Sequence, residues 1–233
     1  MREKIPETEM VIVNIKPFDE ILSFAGDNRN ILILGCAGCA AVCLGGGQRE
    51  VDELMRKIIN WNSKCSVKGF TIERQCDPKF LQSCDILAKE ADVILSMGCG
   101  AGTQMIADRY NIIPVHPVVN TVFIGINKAT GVYEERCRSC GDCHLSYTAG
   151  ICPVTSCAKS LLNGPCGGPK NGQCEVGRNL PCAWCLIYER LKLQNRLQEI
   201  LITRKPVRWH NGIREVVIQP EYKSLYNNML DDK

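Results

Sequence analysis

Residues 31–51 read ILILGCAGCAAVCLGGGQREV, which joins an aliphatic run, a loop rich in cysteine and glycine, and the start of a helix. The run Ile31 to Leu34 has no polar alternation, as is typical of a parallel strand that is covered on both faces. Apolar residues then recur at helical spacing at Val51, Leu54, Met55 and Ile58. The stretch therefore predicts half of a βαβ unit.

The segments around this unit continue the alternation of strands and helices. The predicted strands are 10–13, 67–72, 92–97 and 121–126, and the predicted helices are 17–25 and 80–91. Alternation of this kind is typical of an open, mostly parallel sheet in an α/β protein. We therefore expect a Rossmann-like domain over residues 1–131.

Four cysteines follow two of these strands directly. Cys36, Cys39 and Cys43 lie in the loop after the first aliphatic run, and Cys99 lies in GCGAG after the strand at 92–97. Loops after parallel strands meet at the carboxyl edge of the sheet, where such folds bind ligands. The sequence therefore predicts a 4Fe-4S cluster on these four thiolates. Three glycines would let backbone N–H groups approach its sulfides: Gly35, Gly98 and Gly100.

Other interpretations of this loop are weaker. A dinucleotide site is disfavoured because the Gly-x-Gly-x-x-Gly pattern is incomplete and no Gly-Lys-Ser/Thr follows Gly47. Buried, unliganded cysteines are the remaining alternative. Cys84 falls on the inward stripe of its predicted helix and is expected in the core, and Cys65 has no partner nearby in sequence. Cys76 follows the strand at 67–72 and is the reserve ligand should Cys99 fail.

Residues 137–185 hold nine of the sixteen cysteines. Cys137, Cys140 and Cys143 have the Cys-x2-Cys-x2-Cys spacing of a run that binds three corners of a 4Fe-4S cluster. The segment is rich in Gly, Pro, Asn and Ser, so we expect no ordinary core there and stabilisation by metal instead. This predicts a small iron-sulfur or zinc domain over residues 132–205.

Spacing leaves the ligand pairing in this domain open. We expect the first three cysteines to share a cluster with Cys182 or Cys185. A second site would use Cys152, Cys157, Cys166 and Cys174. Zinc in place of one cluster is the alternative, although 41 residues separate the Cys137–Cys140 and Cys182–Cys185 pairs, beyond the usual spacing of roughly 15 to 20. The chain would then carry two or three clusters.

The other features of the second half give weaker evidence about function. His144 is expected at the surface or beside a ligand, and His116 is expected to be satisfied locally. An amphipathic helix is predicted from Cys185 to about Ile202. In the tail, residues 206–233, three aromatic residues would contact a partner or the protein itself: Trp209, Tyr222 and Tyr226.

Composition excludes several classes of function. The net charge of +3 and the absence of a Lys/Arg run argue against nucleic-acid binding. The longest apolar runs are too short to cross a membrane, and the N-terminus MREKIPETEM has no signal-peptide pattern. We expect a cytoplasmic protein whose cysteines bind metal rather than form disulfides. No residue is predicted to act in acid–base or nucleophilic catalysis.

Four of these segments together resemble a known family. They are ILILGCAGCAAVCLGGGQREV, CRSCGDC, the block ICPVTSCAKSLLNGPCGGPKNGQCEV, and CAWCLIYERL. They look like the small iron-sulfur subunit, of the MetV type, of the two-subunit methylenetetrahydrofolate reductases of acetogenic bacteria. The second part also resembles the C-terminal domain of some methylenetetrahydrofolate reductase chains. The resemblance covers about residues 10 to 205.

The resemblance implies an electron-transfer role in an oxidoreductase complex, with catalysis elsewhere. Such subunits pair with a flavin-bearing subunit that reduces methylenetetrahydrofolate in the methyl branch of acetyl-CoA synthesis, the Wood-Ljungdahl pathway. By this reading the chain passes single electrons to or from that flavin, holds no flavin itself, and could receive electrons from a ferredoxin or another donor module. Two alternatives stay open: a module of another one-carbon or corrinoid methyltransferase system, or a zinc-stabilised assembly subunit.

Overall fold

The computed structural model describes residues 11–26, 30–129, 131–177, 179–207 and 216–222. The strands are β1 (Val11–Ile15), β2 (Asn30–Cys36), β3 (Ser66–Ile72), β4 (Val93–Ser96), β5 (Val115–Pro117), β6 (Val119–Ala129) and β7 (Val132–Cys137). The α-helices are α1 (Phe18–Ala25), α2 (Cys39–Val42), α3 (Gln48–Trp61), α4 (Pro78–Leu81), α5 (Asp85–Lys89), α6 (Gly100–Arg109), α7 (Pro153–Ser156) and α8 (Ala183–Leu193). Short 3₁₀ helices span Gln82–Cys84, Leu145–Tyr147, Leu197–Leu201 and Pro220–Tyr222.

A four-stranded parallel sheet in the order β3-β2-β4-β5 forms the centre of the α/β fold. Strand β2 lies between β3 and β4, with Ile31 opposite Val67 on one side and Val93 on the other. Ile31 and Ile33 pack with α1 and α3, whereas Leu32 and Leu34 pack with the helices on the opposite face. The prediction of a buried parallel strand is confirmed, because both faces of β2 are covered.

The strand predicted at 121–126 is present, but it does not join the parallel sheet as expected. It belongs to β6, which pairs antiparallel with β1 and β7 in a separate three-stranded sheet. Val122, Ile124 and Ile126 are exposed at every second position, as in an antiparallel sheet with one solvent face. The fourth parallel strand is β5, which lies next to β4.

Two predicted helices are shorter than expected. The helix predicted at 80–91 is divided into α4, a 3₁₀ turn and α5, because the side chains of Ser83 and Cys84 bond carbonyl oxygens of the preceding turn. The helix predicted to reach Ile202 is α8, which ends at Leu193. Asn195 takes a left-handed conformation there, and the amide of Arg196 donates to the Leu191 carbonyl, which closes the helix.

The cysteine-rich half has a small core of its own, contrary to the sequence-based expectation. Trp184, Ile187 and Leu191 of α8 pack with Ala149 and Ile151. Trp184, Ile187 and Leu191 recur at helical spacing, but Ala149 and Ile151 lie far from them in sequence, so no local pattern predicts that the two groups meet. The predicted boundary at residue 131 falls at the turn of the β6–β7 hairpin, so β7 belongs to the antiparallel sheet.

The remaining predictions concern three aromatic residues of the tail, His116 and Cys84. In the tail, Trp209 and Tyr226 lie outside the described residues, and Tyr222 is exposed. His116 stacks on Phe24 with 4.8 Å between the ring centroids. Cys84 is fully buried, which confirms its place in the core.

Candidate functional site

The carboxyl edge of the parallel sheet brings together cysteines from three neighbouring strands. Strand β2 ends at Cys36, and α2 begins three residues later at Cys39. Cys76 follows β3, and Cys99 follows β4 as the residue that precedes α6. Because β2 lies between β3 and β4, these thiols converge as the order of the strands requires.

Apolar residues cover one side of this group. Cys36 is buried in a small cluster with Val13 of β1, Ala40 of α2 and Val119 of β6, and the Cys43 and Cys99 side chains pack against that cluster. The antiparallel sheet therefore covers the thiols of the parallel sheet and keeps water from part of the site.

The neighbouring thiols at this edge also affect one another's pKa values. Burial raises the pKa of the Cys39 thiol, and the neighbouring Cys36 and Cys99 raise it further. Burial likewise raises the pKa of Cys76, with added repulsion from Cys99, Cys36 and Cys39. A bound metal would supply the positive charge that offsets several thiolates at one edge.

Cys43 is held differently from the other four. Its sulfur accepts a hydrogen bond from the Val13 amide at 3.4 Å, and it lies 3.7 Å from the Val13 carbonyl oxygen. It also lies 3.5 Å from the Ala40 carbonyl oxygen. These contacts join the end of α2 to strand β1.

The three predicted cofactor-binding glycines have other contacts in the structure. A Cβ on Gly35 would lie 2.4 Å from the Thr71 hydroxyl, and one on Gly98 would lie 2.0 Å from Gln75 Oε1. The Gly100 amide donates to the Thr121 hydroxyl at 2.8 Å. Close packing therefore explains two of these glycines, and contact with a cluster stays a prediction for all three.

A buried polar network lies directly behind Cys76 and Cys99. The side chain of Gln75 is fully buried, donates to the Leu34 carbonyl at 2.7 Å, and accepts from the Ser96 hydroxyl at 2.8 Å. The Ser96 hydroxyl also bonds that of Thr103 at 2.8 Å. Sequence reasoning missed this network, although a glutamine directly before a candidate ligand is a signal that could have pointed to it.

A second group of thiols lines one narrow pocket in the cysteine-rich half, made up of Cys157, Cys166, Cys174 and Cys182. Cys166 Sγ lies 3.4 Å from a carboxylate oxygen of Glu175, which is paired with Lys159. Cys157, Cys166 and Cys174 of the predicted second site thus line this pocket with Cys182, whereas Cys152 is not among its lining residues, and the ligand set stays a prediction.

The remaining cysteines lie around β7 and α8. Cys137 ends β7, and its sulfur accepts from the Ser139 amide at 3.4 Å, while Cys140 Sγ lies 3.4 Å from the Asp142 carbonyl. Cys152 precedes α7 and, after the larger effect of Glu135, helps to raise the pKa of Arg138. Of the other predicted ligands, Cys143 is exposed. Cys182 and Cys185 are neighbours.

His144 is more enclosed than the sequence analysis expected. Its side chain is 9% exposed, and its Nε2 lies 3.5 Å from an Asp142 carboxylate oxygen. That nitrogen has no hydrogen-bond partner among the described residues. The imidazole is therefore largely enclosed, and its predicted place beside a ligand stays a prediction.

Throughout the described ranges, no three His, Cys, Asp or Glu side chains are spaced to bind a single metal ion. The donor set at the sheet edge nevertheless suits a cluster, because four thiolates of a 4Fe-4S cube bind four different irons. Such ligands lie further apart than the ligands of one zinc ion. Thiolate is also the ligand that iron-sulfur clusters prefer.

Within the part of the chain that the structure describes, no helix has the length and apolar character needed to cross a membrane. All sixteen cysteines are free.

Comparison with known families gives a match in the second part of the chain. Residues 116–210 match the family model described as "Methylene-tetrahydrofolate reductase C terminal". This part of the chain, from β5 through α8 to the start of the tail, is therefore similar to the C-terminal family of methylenetetrahydrofolate reductases. No curated protein and no solved structure matches the chain.

Proposed function

We propose that this chain is an iron-sulfur electron-transfer subunit of a methylenetetrahydrofolate reductase complex. The observation that carries the proposal is the convergence of thiols from the ends of β2, β3 and β4 at one sheet edge. The family match of residues 116–210 supports the enzyme system.

The residues of the first site would bind and shield a cluster. Cys36 and Cys39 supply thiolates from the loop after β2, and Val13 and Val119 limit the access of water. Cys99 lies at the N-terminus of the ten-residue helix α6, where the helix dipole favours a negatively charged sulfur. When bound, a 4Fe-4S cluster takes up and releases one electron at a potential set by charge, hydrogen bonds and exposure.

The cysteine-rich half would hold the next redox centre along an electron path. Its pocket holds four thiols, and the loop after β7 adds the Cys-x2-Cys-x2-Cys run. Two electrons delivered singly to a flavin on a partner subunit would support the hydride chemistry there.

A zinc site in the same pocket is the second candidate for this half. Four thiolates from Cys157, Cys166, Cys174 and Cys182 have the chemistry that structural zinc requires, but they are not spaced for one ion in the described structure, so zinc binding would have to draw them together. In that case the second half would be an assembly module, and electron transfer would depend on the sheet-edge site alone.

Anaerobic mixing with the flavin-bearing reductase subunit tests the proposal. The chain is reduced with dithionite, freed of excess reductant, and mixed with the oxidised flavoprotein while flavin absorbance is followed. We expect flavin reduction by the iron-loaded chain and none by the iron-free chain. Equal flavin reduction by both, or reduction by neither, would contradict the proposed role.

A further inference from the structure

Five cysteines lie at the sheet edge, whereas a 4Fe-4S cube offers four irons to protein ligands. Sequence order favours Cys36, Cys39, Cys43 and Cys99, since the first three lie in one loop. Cys43 packs beside Cys36 as Cys99 does, but its sulfur also contacts the backbone of β1, so the fourth ligand has to be identified from geometry.

Cys43 is engaged by the backbone of the antiparallel sheet. Its sulfur meets both the amide and the carbonyl of Val13 and the carbonyl of Ala40. The hydroxyl of Tyr133 on β7 donates to the Val42 carbonyl at 2.6 Å and fixes the adjacent peptide. Deprotonation of this thiol to bind iron would cost it the contacts with the Val13 and Ala40 carbonyl oxygens, which join α2 to β1.

Cys76 has the opposite surroundings. It is exposed, whereas Cys43 is partly buried against β1. The residues whose charges act on it are Cys99, Cys36 and Cys39. Cys76 follows β3, so its loop lies at the same sheet edge as the loops of Cys36, Cys39 and Cys99.

The buried network fixes the backbone on which Cys76 is placed. Gln75 bonds the end of β2 through the Leu34 carbonyl and the end of β4 through Ser96. Its side chain also fills the space beside Gly98 and Gly102, on either side of Cys99 in sequence. One buried side chain thus fixes the position of the Cys76 loop relative to the loops of Cys36 and Cys99.

We propose that Cys76, and not Cys43, completes the ligand set with Cys36, Cys39 and Cys99. This inference rests on the proposed function, because it assumes that a cluster is bound at the sheet edge. Cys43 then serves as a structural thiol that attaches α2 to the antiparallel sheet.

Thiol footprinting of the full-length, anaerobically purified chain tests this assignment without a variant. Because Cys76 is exposed, N-ethylmaleimide should modify it quickly unless iron holds the sulfur. We expect Cys76 to be protected in the iron-loaded chain and modified after iron is removed with a chelator, as measured by peptide mass spectrometry. Rapid modification of Cys76 in the iron-loaded chain would overturn the proposal.

Serine variants separate this inference from the proposed function. Cys36→Ser should lose about four irons per chain, one cluster, and Cys76→Ser should lose the same amount and the same EPR signal after reduction. Cys43→Ser should keep both, and Cys65→Ser, a buried thiol outside the group, is the matched control. Iron loss in Cys43→Ser with iron retained in Cys76→Ser would overturn this assignment alone. A wild-type chain without iron would overturn the proposed function as well.

Discussion

At the scale of single residues, the tightest point of the sheet edge is Gly46. Its amide donates to the Ala40 carbonyl, and a Cβ on it would lie 1.9 Å from the Met97 carbonyl oxygen. The obstructing atom belongs to the backbone that leads from β4 to Cys99, so it cannot rotate away. Glycine is therefore required here by packing against the loop of Cys99.

Gly46→Ala should lower the free energy of unfolding by about 1–3 kcal/mol, the usual cost of overpacking. Gly100→Ala is the matched control, since its nearest atom to a new Cβ is the Thr121 hydroxyl at 3.6 Å. Urea denaturation measures both. Equal stability of the two variants would show that the backbone at Gly46 can move aside.

The buried side chain of Gln75 makes a second prediction at this scale. Gln75→Leu removes one hydrogen bond each from the Leu34 carbonyl and the Ser96 hydroxyl, which keep their bonds with the Met97 amide and the Thr103 hydroxyl, and each lost bond costs about 0.5–1.5 kcal/mol. We expect a clear loss of stability in thermal denaturation. Gln104→Leu, which changes an exposed glutamine, should stay within about 0.5 kcal/mol of wild type. A Gln75→Leu chain as stable as that control would contradict the role of the network.

The convergence of the candidate cysteines is a property that sequence could predict only in part. Cys36 and Cys99 follow aliphatic strands directly, and the rule that parallel strands end at one edge brings them together. The choice between Cys43 and Cys76 could not be predicted, because it depends on the contact of Cys43 with Val13 in the other sheet. That contact forms only when residues 30 positions apart meet.

At the scale of secondary-structure elements, an ion pair joins α5 to α6. The Arg109 guanidinium donates to both carboxylate oxygens of Asp85, at 2.8 and 2.6 Å. The Tyr110 hydroxyl donates to the same carboxylate at 2.7 Å. Arg109 and then Tyr110 hold the pKa of Asp85 at about 2, below its ordinary value of about 3.9.

This pair predicts an acid-dependent part of the stability. A lowered carboxyl pKa stabilises the fold above the unfolded pKa of about 3.9, and that stability is lost as pH falls towards 2. Asp85→Asn should therefore be less stable than wild type at pH 6, and the difference should shrink between about pH 4 and pH 2. Urea denaturation across this range measures it, and Arg109→Leu should remove the same component. A difference that is unchanged at pH 2 would contradict the assignment.

Helix α8 supports the core of the cysteine-rich half. Trp184 is 5% exposed, and its indole nitrogen donates to the Leu161 carbonyl at 2.9 Å. Trp184→Ala should cost about 3–5 kcal/mol and speed hydrogen exchange in α8. Tyr188→Ala, on the exposed side of the same helix, is the control. Unchanged exchange in Trp184→Ala would show that this core adds little to stability.

Sequence patterns predicted the parallel sheet better than they predicted the antiparallel sheet. The aliphatic run of β2 has no polar side, so both of its faces have to be covered. Its place in the middle of the fold can therefore be predicted from its own sequence. Strand β6 also contains aliphatic residues, but its antiparallel partners are β1, far away in sequence, and β7, across a short turn. Pairing between distant strands leaves no local signal, which explains why 121–126 was assigned to the wrong sheet.

At the scale of the whole molecule, the cysteines divide into a sheet-edge group and a group in the second half. The first group lies under apolar residues of the antiparallel sheet, and the second lies beside the Trp184 core. Strand β7 connects them, because it pairs with β6 and ends at Cys137. An electron path through the chain would follow this connection.

The measurement that tests the central claim most directly is the content of iron, acid-labile sulfide and zinc per chain, with EPR spectra before and after dithionite reduction, on anaerobically purified protein. The account predicts about eight or more irons, the content of two or more 4Fe-4S clusters, with matching sulfide and signals that emerge on reduction. Little iron, stoichiometric zinc and no EPR signal would contradict it and would leave a zinc-stabilised assembly subunit.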